Sequence, residues 1–222
     1  MKVSIVIPAK NEVDNIGEVI TKCKEYADEL LVVDGHSTDK TREVSRALGV
    51  RVILDNKKGK GDGIRTAIKA VSGDLIVFID ADGSHDPEDI PKLIKPILNN
   101  ECDHVTGSRM LGGSDELHGD IGKFIRMVGS DIITLGINYR FGVRLTDSQN
   151  GFRALRTGVA RDIGLKEDIT SIEQEMIMKT LKKGYIIGEV ATHEYARKSG
   201  VSKIRIRKVA LRYIWCWIKN LL

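Results

Sequence analysis

The chain has 222 residues, 41% hydrophobic and 30% charged, with a formal net charge of +4. This is an ordinary globular composition with enough chain for a substantial core, and the positive balance is too mild to argue for nucleic acid as a partner. Three scattered cysteines, Cys23, Cys102 and Cys216, offer neither a metal-ligand spacing nor a disulfide framework, which fits a reducing compartment.

The opening apolar run is too short for a signal peptide and has no small-residue cleavage site. It reads instead as a buried strand over residues 3–7, ended by Pro8. Residues 15–26 follow with Ile16, Val19, Ile20 and Cys23 at helical spacing. ELLVVD (29–34) is a second strand. A helix over 37–49 follows, with Ser37, Thr38 and Asp39 as cap candidates and Gly49 as its end. Residues 50–54 make a third strand, 60–71 a third helix and 74–80 a fourth strand. A fourth helix over 87–99 has Pro87 in its first turn.

Strands apolar on both faces and separated by helices predict a parallel sheet covered on both sides. Such sheets bind ligands beyond the carboxyl ends of their strands. That rule singles out residues 8–12, 34–39, 55–61 and 80–86, all along one edge.

The second half is less regular. DHVTGSRM reads as a strand running into a loop, and GGSDELHGD as a Gly-rich, mobile segment. Residues 121–137 are helical, RLTDSQNGFRAL is a loop entering a short strand, and 172–183 is a helix stopped by Gly184. YIIGEVATHEY is a strand, ARKSGVSK a basic loop, and 204–222 a last helix. There is no internal repeat. The division expected is one domain over 1–203 with an appendage over 204–222.

Asp80 and Asp82, one residue apart just past a strand, can present oxygen ligands to Mg²⁺ or Mn²⁺, which share such ligands with substrate phosphates. The competing reading is a capping loop, in which Ser84 or Asp86 caps the next helix and the other acids are solvated. An EF-hand is excluded, since its sixth loop position needs Gly and its twelfth Glu, and counting from Asp80 these are His85 and Pro91. GKGDG (59–63) has neither phosphate-loop nor dinucleotide order, although a helix N-terminus beside Lys60 can hold an anion. Asp34, at a strand end, is either a base or ribose acceptor or part of a simple turn.

Seven segments stand in an order that resembles family 2 of the inverting glycosyltransferases, most closely its dolichyl-phosphate (polyprenyl-phosphate) mannose synthase and glucosyltransferase branch. They are VSIVIPAKNEVDNI, LLVVDGHSTDKT, KGKGDGIRTAI, DLIVFIDADGSHDPEDIPKLI, TGSRM, LTDSQNGFRAL and ARKSGVSK. The resemblance implies a GT-A type α/β fold, a Rossmann-like and mostly parallel sheet with helices on both faces. It implies transfer of a hexose, mannose favoured, from GDP-mannose or UDP-glucose to a polyprenyl phosphate. By resemblance, Pro8, Ala9, Glu12, Asp34, Lys60 and Asp80 hold the nucleotide, and Asp82, Asp80 and Ser84 hold Mg²⁺ or Mn²⁺, with Ser84 standing where many relatives have Gln. Asp82, Arg109 and Arg197 carry catalysis. Arg109, Arg126, Asp147, Gln149, Arg197 and Lys203 serve the acceptor phosphate.

The chemistry agrees with that reading. A departing nucleoside diphosphate needs a cation and basic side chains. A phosphate monoester nucleophile, with its second pKa near ~6, needs no strong base. Transfer to a saccharide hydroxyl is the alternative and would need a carboxylate base, for which Asp147 or Glu175 are candidates. A nucleotide-binding subunit of a membrane complex is the non-enzymatic alternative.

In the last helix Val209, Tyr213, Trp217 and Leu221 fall four apart, and Ile214, Ile218 and Leu222 widen that face. Arg212 and Lys219 interrupt any spanning run. A basic, Trp-bearing amphipathic helix suits a membrane interface, and equally a helix docked on the core or on another subunit. The expected location is the cytoplasm, peripherally on the cytosolic face of a membrane, with a homo-oligomer or a membrane subunit left open as partner.

Overall fold

β1 (Val3–Ala9), β2 (Glu29–Asp34), β3 (Arg51–Leu54), β4 (Leu75–Phe78), β5 (His104–Ser108), β6 (Arg153–Arg156) and β7 (Ile187–Ala191) form one sheet in the order β3-β2-β1-β4-β6-β5-β7. The structure is a computed structural model that describes residues 1–116, 121–197 and 206–222, the side chains of 206–208 excepted. β1 pairs in parallel with β2 and β4, and β2 with β3. β6 runs antiparallel between β4 and β5, while β5 and β7 are parallel. The sheet is therefore mostly parallel as expected, wholly so from β1 to β4, with β6 the one reversed strand among the described residues. A four-residue strand carries no signal of its direction; the path of the connection sets it.

Nine helices lie among the described residues: α1 (Ile16–Cys23), α2 (Thr41–Ala47), α3 (Lys60–Ala70), α4 (Ile90–Leu98), α5 (Arg109–Gly112), α6 (Ile121–Phe141), α7 (Thr157–Asp162), α8 (Ile172–Lys182) and α9 (Ile206–Leu221). α1 and α4 close one face of the sheet, where Ile16, Ile20, Leu93 and Ile97 pack on Ile5, Ile7, Leu75 and Val77. α3, α7 and α8 close the other, with Ile64, Ala67, Val159 and Met176 on Val6, Val33, Ile76 and Phe78. Each of the larger of these buried side chains, Ala67 aside, contributes about 1.5–3 kcal/mol. A third cluster joins Ile133 and Ile137 of α6, Ile177 and Met178 of α8 and Cys216 of α9.

Several expectations are corrected. α2 starts at Thr41, and the proposed caps Ser37, Thr38 and Asp39 do not cap it. Ser37 Oγ instead accepts from the Asn11 amide (2.9 Å), and Asp39 Oδ1 accepts from the Thr41 amide (3.0 Å) and hydroxyl (2.5 Å). These polar groups stitch the β2–α2 loop to the β1–α1 loop, which a sequence shows only as cap-type residues. α5 and α7 are additional short helices. Asp86 does cap, accepting from the Glu88 amide (3.1 Å), with Pro87 next to it in the turn. The expected mobile segment 112–120 and basic loop 196–203 lie partly outside the described residues, as does the boundary at 203–204.

The last helix is divided between its two sides. Tyr213, Trp217 and Leu221, the stripe marked for a membrane, pack against the third core cluster. Leu211, Ile214, Trp215, Ile218 and Leu222 face outward and are exposed. α9 is thus docked on the domain, and only its second apolar row is open.

Candidate active site

The carboxyl ends of β1, β2, β3 and β4 and the start of α3 enclose a cavity of about 380 Å³. Because β6 is reversed, with Phe78 opposite Arg153, the loop that enters β6 reaches the same edge. So do the segments leaving β5 and β7. Of the expected residues, Pro8, Ala9, Glu12, Lys60, Asp80, Asp82 and Arg197 all line this one cavity. The Glu12 amide is fixed by donating to Thr41 Oγ1 (2.9 Å), so the β1 loop is held from α2. Asp34 lies beside the wall rather than on it: fully buried, its Oδ1 accepts from the Ser37 amide (2.9 Å) and stands 3.6 Å from Arg42 Nε. Its neighbours Val33 and Gly35 line the cavity instead, as strand alternation requires. Asp55, at the end of β3, takes the place expected for Asp34.

The turn after Asp82 needs Gly83, whose φ of +73° is unfavourable for any residue with a Cβ. It brings Ser84 back so that its amide (3.1 Å) and hydroxyl (2.7 Å) both donate to Asp82 Oδ1. Ser84, expected as a metal ligand, is buried, off the cavity wall and engaged in orienting Asp82. Asp82 Oδ2 pairs with Arg197 Nη2 at 3.1 Å.

Lys60 Nζ lies 2.6 Å from Asp80 Oδ1 and 2.7 Å from Glu173 Oε1. Burial alone would raise the Asp80 carboxyl, but the charge and hydrogen bond of Lys60, with Arg197 adding to them, outweigh it and hold it below the ordinary carboxylate range. Glu173 goes the other way, pushed up by burial and only partly countered by Lys60. Lys60 loses by desolvation, yet the two carboxylates keep its ammonium firmly charged.

Arg109 is gripped by its neighbours. Nε is 2.6 Å from Asp147 Oδ2, Nη2 is 3.0 Å from Asp147 Oδ1, and Nη1 is 3.4 Å from Glu194 Oε1. Asp147 is 1% exposed, and against the upward push of burial Arg109 holds its carboxyl low. Asp147 therefore buttresses Arg109. Gln149 donates to Gln174 Oε1 (3.0 Å) and Ser148 Oγ (3.1 Å). Gly151 brings the loop backbone onto the acid cluster: a Cβ there would come 2.9 Å from Lys60 Nζ and 3.0 Å from Asp80 Oδ2. Arg126 is exposed on α6, away from the cavity wall, and Lys203 falls outside the described residues. Glu175, the other candidate base, is spent on the Lys166 and Glu167 amides (3.0 and 2.7 Å) and on Lys179 (2.8 Å).

Asp55 and His85 lie in the ligand-edge segments 55–61 and 80–86 but carry no expected role of their own, and Glu173 and Glu194 are not among the expected site residues. His85 is buried, stacked on Phe152 at 5.1 Å, with Nδ1 lacking a partner among the described residues. Burial holds its ring neutral against the pull of Asp80. Glu173 had a faint signal: Glu173, Gln174 and Glu175 form a polar run just before the apolar Met176, Ile177 and Met178 of α8, and all three are buried.

No group of three or more His, Cys, Asp or Glu side chains makes a protein-only metal site among the described residues. The donor chemistry still fits a hard divalent ion, because Mg²⁺ is commonly held by one or two carboxylates together with substrate phosphates. Asp80 and Asp82 would supply those carboxylates from the wall of the same cavity.

Three comparisons bear on the chain. The sequence profile of glycosyl transferase family 2 matches residues 4–164. The dolichol-phosphate mannosyltransferase of Pyrococcus furiosus is 31% identical over 99% of this chain, which spans 64% of that protein. The dolichyl-phosphate hexose transferase of Haloferax volcanii is 28% identical, over 90% of this chain and 86% of that one. Among solved structures, glucosyl-3-phosphoglycerate synthase of Mycobacterium tuberculosis, in complex with Mn²⁺, UDP and glucosyl-3-phosphoglycerate, superposes with a TM-score of 0.78. That match has 22% identity and covers 99% of this chain and 80% of the synthase. At that identity it establishes the GT-A architecture.

Proposed function

The chain belongs to glycosyl transferase family 2, and from that premise we propose that it transfers a hexose, mannose in the first place, from a nucleotide sugar to a polyprenyl phosphate with inversion. Mg²⁺ or Mn²⁺ is the cofactor, held by Asp80 and Asp82, and when bound it stabilises charge on the departing diphosphate. Pro8, Ala9, Glu12 and Asp55 shape the nucleotide end of the cavity, and Lys60 and Arg197 meet its phosphates. Arg109, kept in place by Asp147 and Glu194, faces the acceptor phosphate from the edge of β5. The relatives named for dolichyl-phosphate transfer support the acceptor class.

The observation that carries this reading is that both candidate general bases are already engaged. Asp147 is bidentate on Arg109, and Glu175 is bound to two amides and a lysine. A hydroxyl acceptor would need one of them free; a phosphate monoester, ionised at neutral pH, needs neither. Bidentate-capable arginines suit it instead.

The outer surface supports a lipid acceptor. Ile121, Phe124 or Ile125, Val128, Ile132, Leu135 and Tyr139 recur every three or four residues along α6, and all seven of these side chains are exposed. They form a stripe about 27 Å long at ~1.5 Å per residue. With the outer row of α9, they offer two apolar helix faces with Arg126, Arg140 and Lys219 nearby, a pattern suited to an interfacial seat. No helix among the described residues is long and apolar enough to cross a membrane.

The test is a donor panel of GDP-mannose, UDP-glucose and UDP-GlcNAc with polyprenyl phosphate and Mg²⁺ or Mn²⁺, scored for extracted glycolipid. An acid-labile lipid phosphosugar is expected from one donor. A product stable to mild acid overturns the phosphate acceptor.

A further inference from the structure

Both carboxylates expected to seat the cation already have side-chain cations on them. Lys60 Nζ is 2.6 Å from Asp80 Oδ1, and Arg197 Nη2 is 3.1 Å from Asp82 Oδ2. Of the two, Lys60 is the more constrained. It opens α3, it is held on its other side by Glu173 Oε1 at 2.7 Å, and the backbone of Gly151 lies against the pair. Glu173 is 5% exposed and anchored on α8, so the ammonium is bracketed between a fixed buried acid and the acid that faces the cavity.

We infer that Lys60 is a resident counter-ion for Asp80, which makes binding of a divalent cation and of a nucleoside diphosphate mutually dependent. This rests on the reading of Asp80 and Asp82 as the cation seat. A cation arriving alone must take Asp80 from Lys60 and leave the displaced ammonium facing like charge in a confined space. A cation arriving with a diphosphate brings anionic oxygens that give Lys60 a new partner on the same cavity wall. Glu173 keeps the ammonium in place during the exchange, so the lysine moves between two acceptors without leaving the site. The linkage is reciprocal: the nucleotide raises cation affinity by the same factor as the cation raises nucleotide affinity.

The experiment measures Mn²⁺ binding to the full chain by electron paramagnetic resonance, with and without UDP or GDP, and nucleotide binding by calorimetry. For the native chain, a nucleoside diphosphate is expected to tighten Mn²⁺ by roughly tenfold or more, within the usual range of such couplings. In Lys60→Met, Mn²⁺ alone should bind roughly tenfold tighter than to the native chain, and the effect of nucleotide should shrink to less than about threefold. Lys60→Gln, which keeps hydrogen-bonding capacity without charge, should behave in the same way and serves if the Met variant loses its thermal transition. Lys58→Met removes a cation from the same cavity that has no described ion pair, and should change Mn²⁺ affinity by less than about twofold. Unchanged or weaker Mn²⁺ binding to both Lys60 variants overturns the inference. If the native chain and the variants all fail to bind Mn²⁺ even with nucleotide present, the cation seat itself is wrong, and nucleotide binding in calorimetry then stands or falls separately.

Discussion

The two halves of the sheet are built on different terms. From β1 to β4 every strand is parallel, every crossover is a helix packed on apolar rows, and the chemistry collects at the strand ends. From β5 onward one strand is reversed, polar residues are buried in chains of mutual contact, and two helices carry apolar rows that nothing described covers. The first half holds a ligand by the generic geometry of a parallel sheet. The second half is specialised: its arginines are locked by acids, and its surface is apolar where water would favour polar groups. A donor site common to a family and an acceptor site particular to a branch would differ in this way.

That contrast can be broken. Asp82→Ala removes the carboxylate that Ser84 and Arg197 hold in place, and should lower hexosyl transfer by about 10³-fold or more while leaving the fold intact, as loss of electrostatic stabilisation commonly does. Full activity of that variant after chelation and restoration of Mg²⁺ would move the chemistry out of the first half. Arg109→Ala should be next in size. It strands Asp147, 1% exposed, without its partner, at a cost of about 3–5 kcal/mol of stability. Chemical denaturation checks this, and Arg109→Met with Asp147→Leu should recover much of the loss.

Smaller effects sharpen the comparison. Phe124→Asp with Leu135→Asp should cut flotation with anionic vesicles roughly tenfold and leave nucleotide binding and folding stability within about 0.5 kcal/mol of native. Equal flotation would assign the α6 stripe to something other than lipid. Deleting α9 is a poorer test, because it also uncovers the cluster around Ile177, Met178 and Ile133.

His104, fully buried on β5, is held neutral well below its usual value by burial and by Arg153. Its unfolded form takes up a proton near pH ~6.5 and its folded form does not. Stability is therefore present above that pH and is lost as pH falls, at up to about 1.4 kcal/mol per pH unit for this one group. Urea midpoints from pH 7 to 5 should show the slope, and His104→Gln should flatten it by one proton. Least of all, Asp86→Ala should cost about 1 kcal/mol through the lost cap on the turn before α4.

The legibility of the sequence follows the same division. The first four strands and their helices were readable because hydrophobic period and strand-end position are local properties, and the ligand-edge rule then gathered Pro8, Ala9, Glu12, Lys60, Asp80 and Asp82 without any structure. Asp34 lies one residue of strand alternation off the wall, where its neighbours Val33 and Gly35 and, at the end of β3, Asp55 line the cavity. The Ser84 hydroxyl is turned onto Asp82 by the short turn at Gly83. The pairings of Glu173 and Glu194 were out of reach: their partners Lys60 and Arg109 lie 113 and 85 residues away, and Arg109 meets Glu194 only because β5 and β7 lie side by side in the sheet. For α9 the sequence showed two apolar rows, and the choice of which one docks depended on α6 and α8.

Tyr213 of α9 donates its hydroxyl to Thr170 Oγ1 at 2.6 Å, and Thr170 is part of the cavity wall. Gln174 donates to the Tyr213 carbonyl at 2.8 Å and itself accepts from Gln149. The cavity wall is thus braced from α9, by a residue 43 positions further along the chain than Thr170. Any shift of α9 on the domain is therefore felt at the cavity, through Tyr213 and Thr170 on one side and Gln174 on the other.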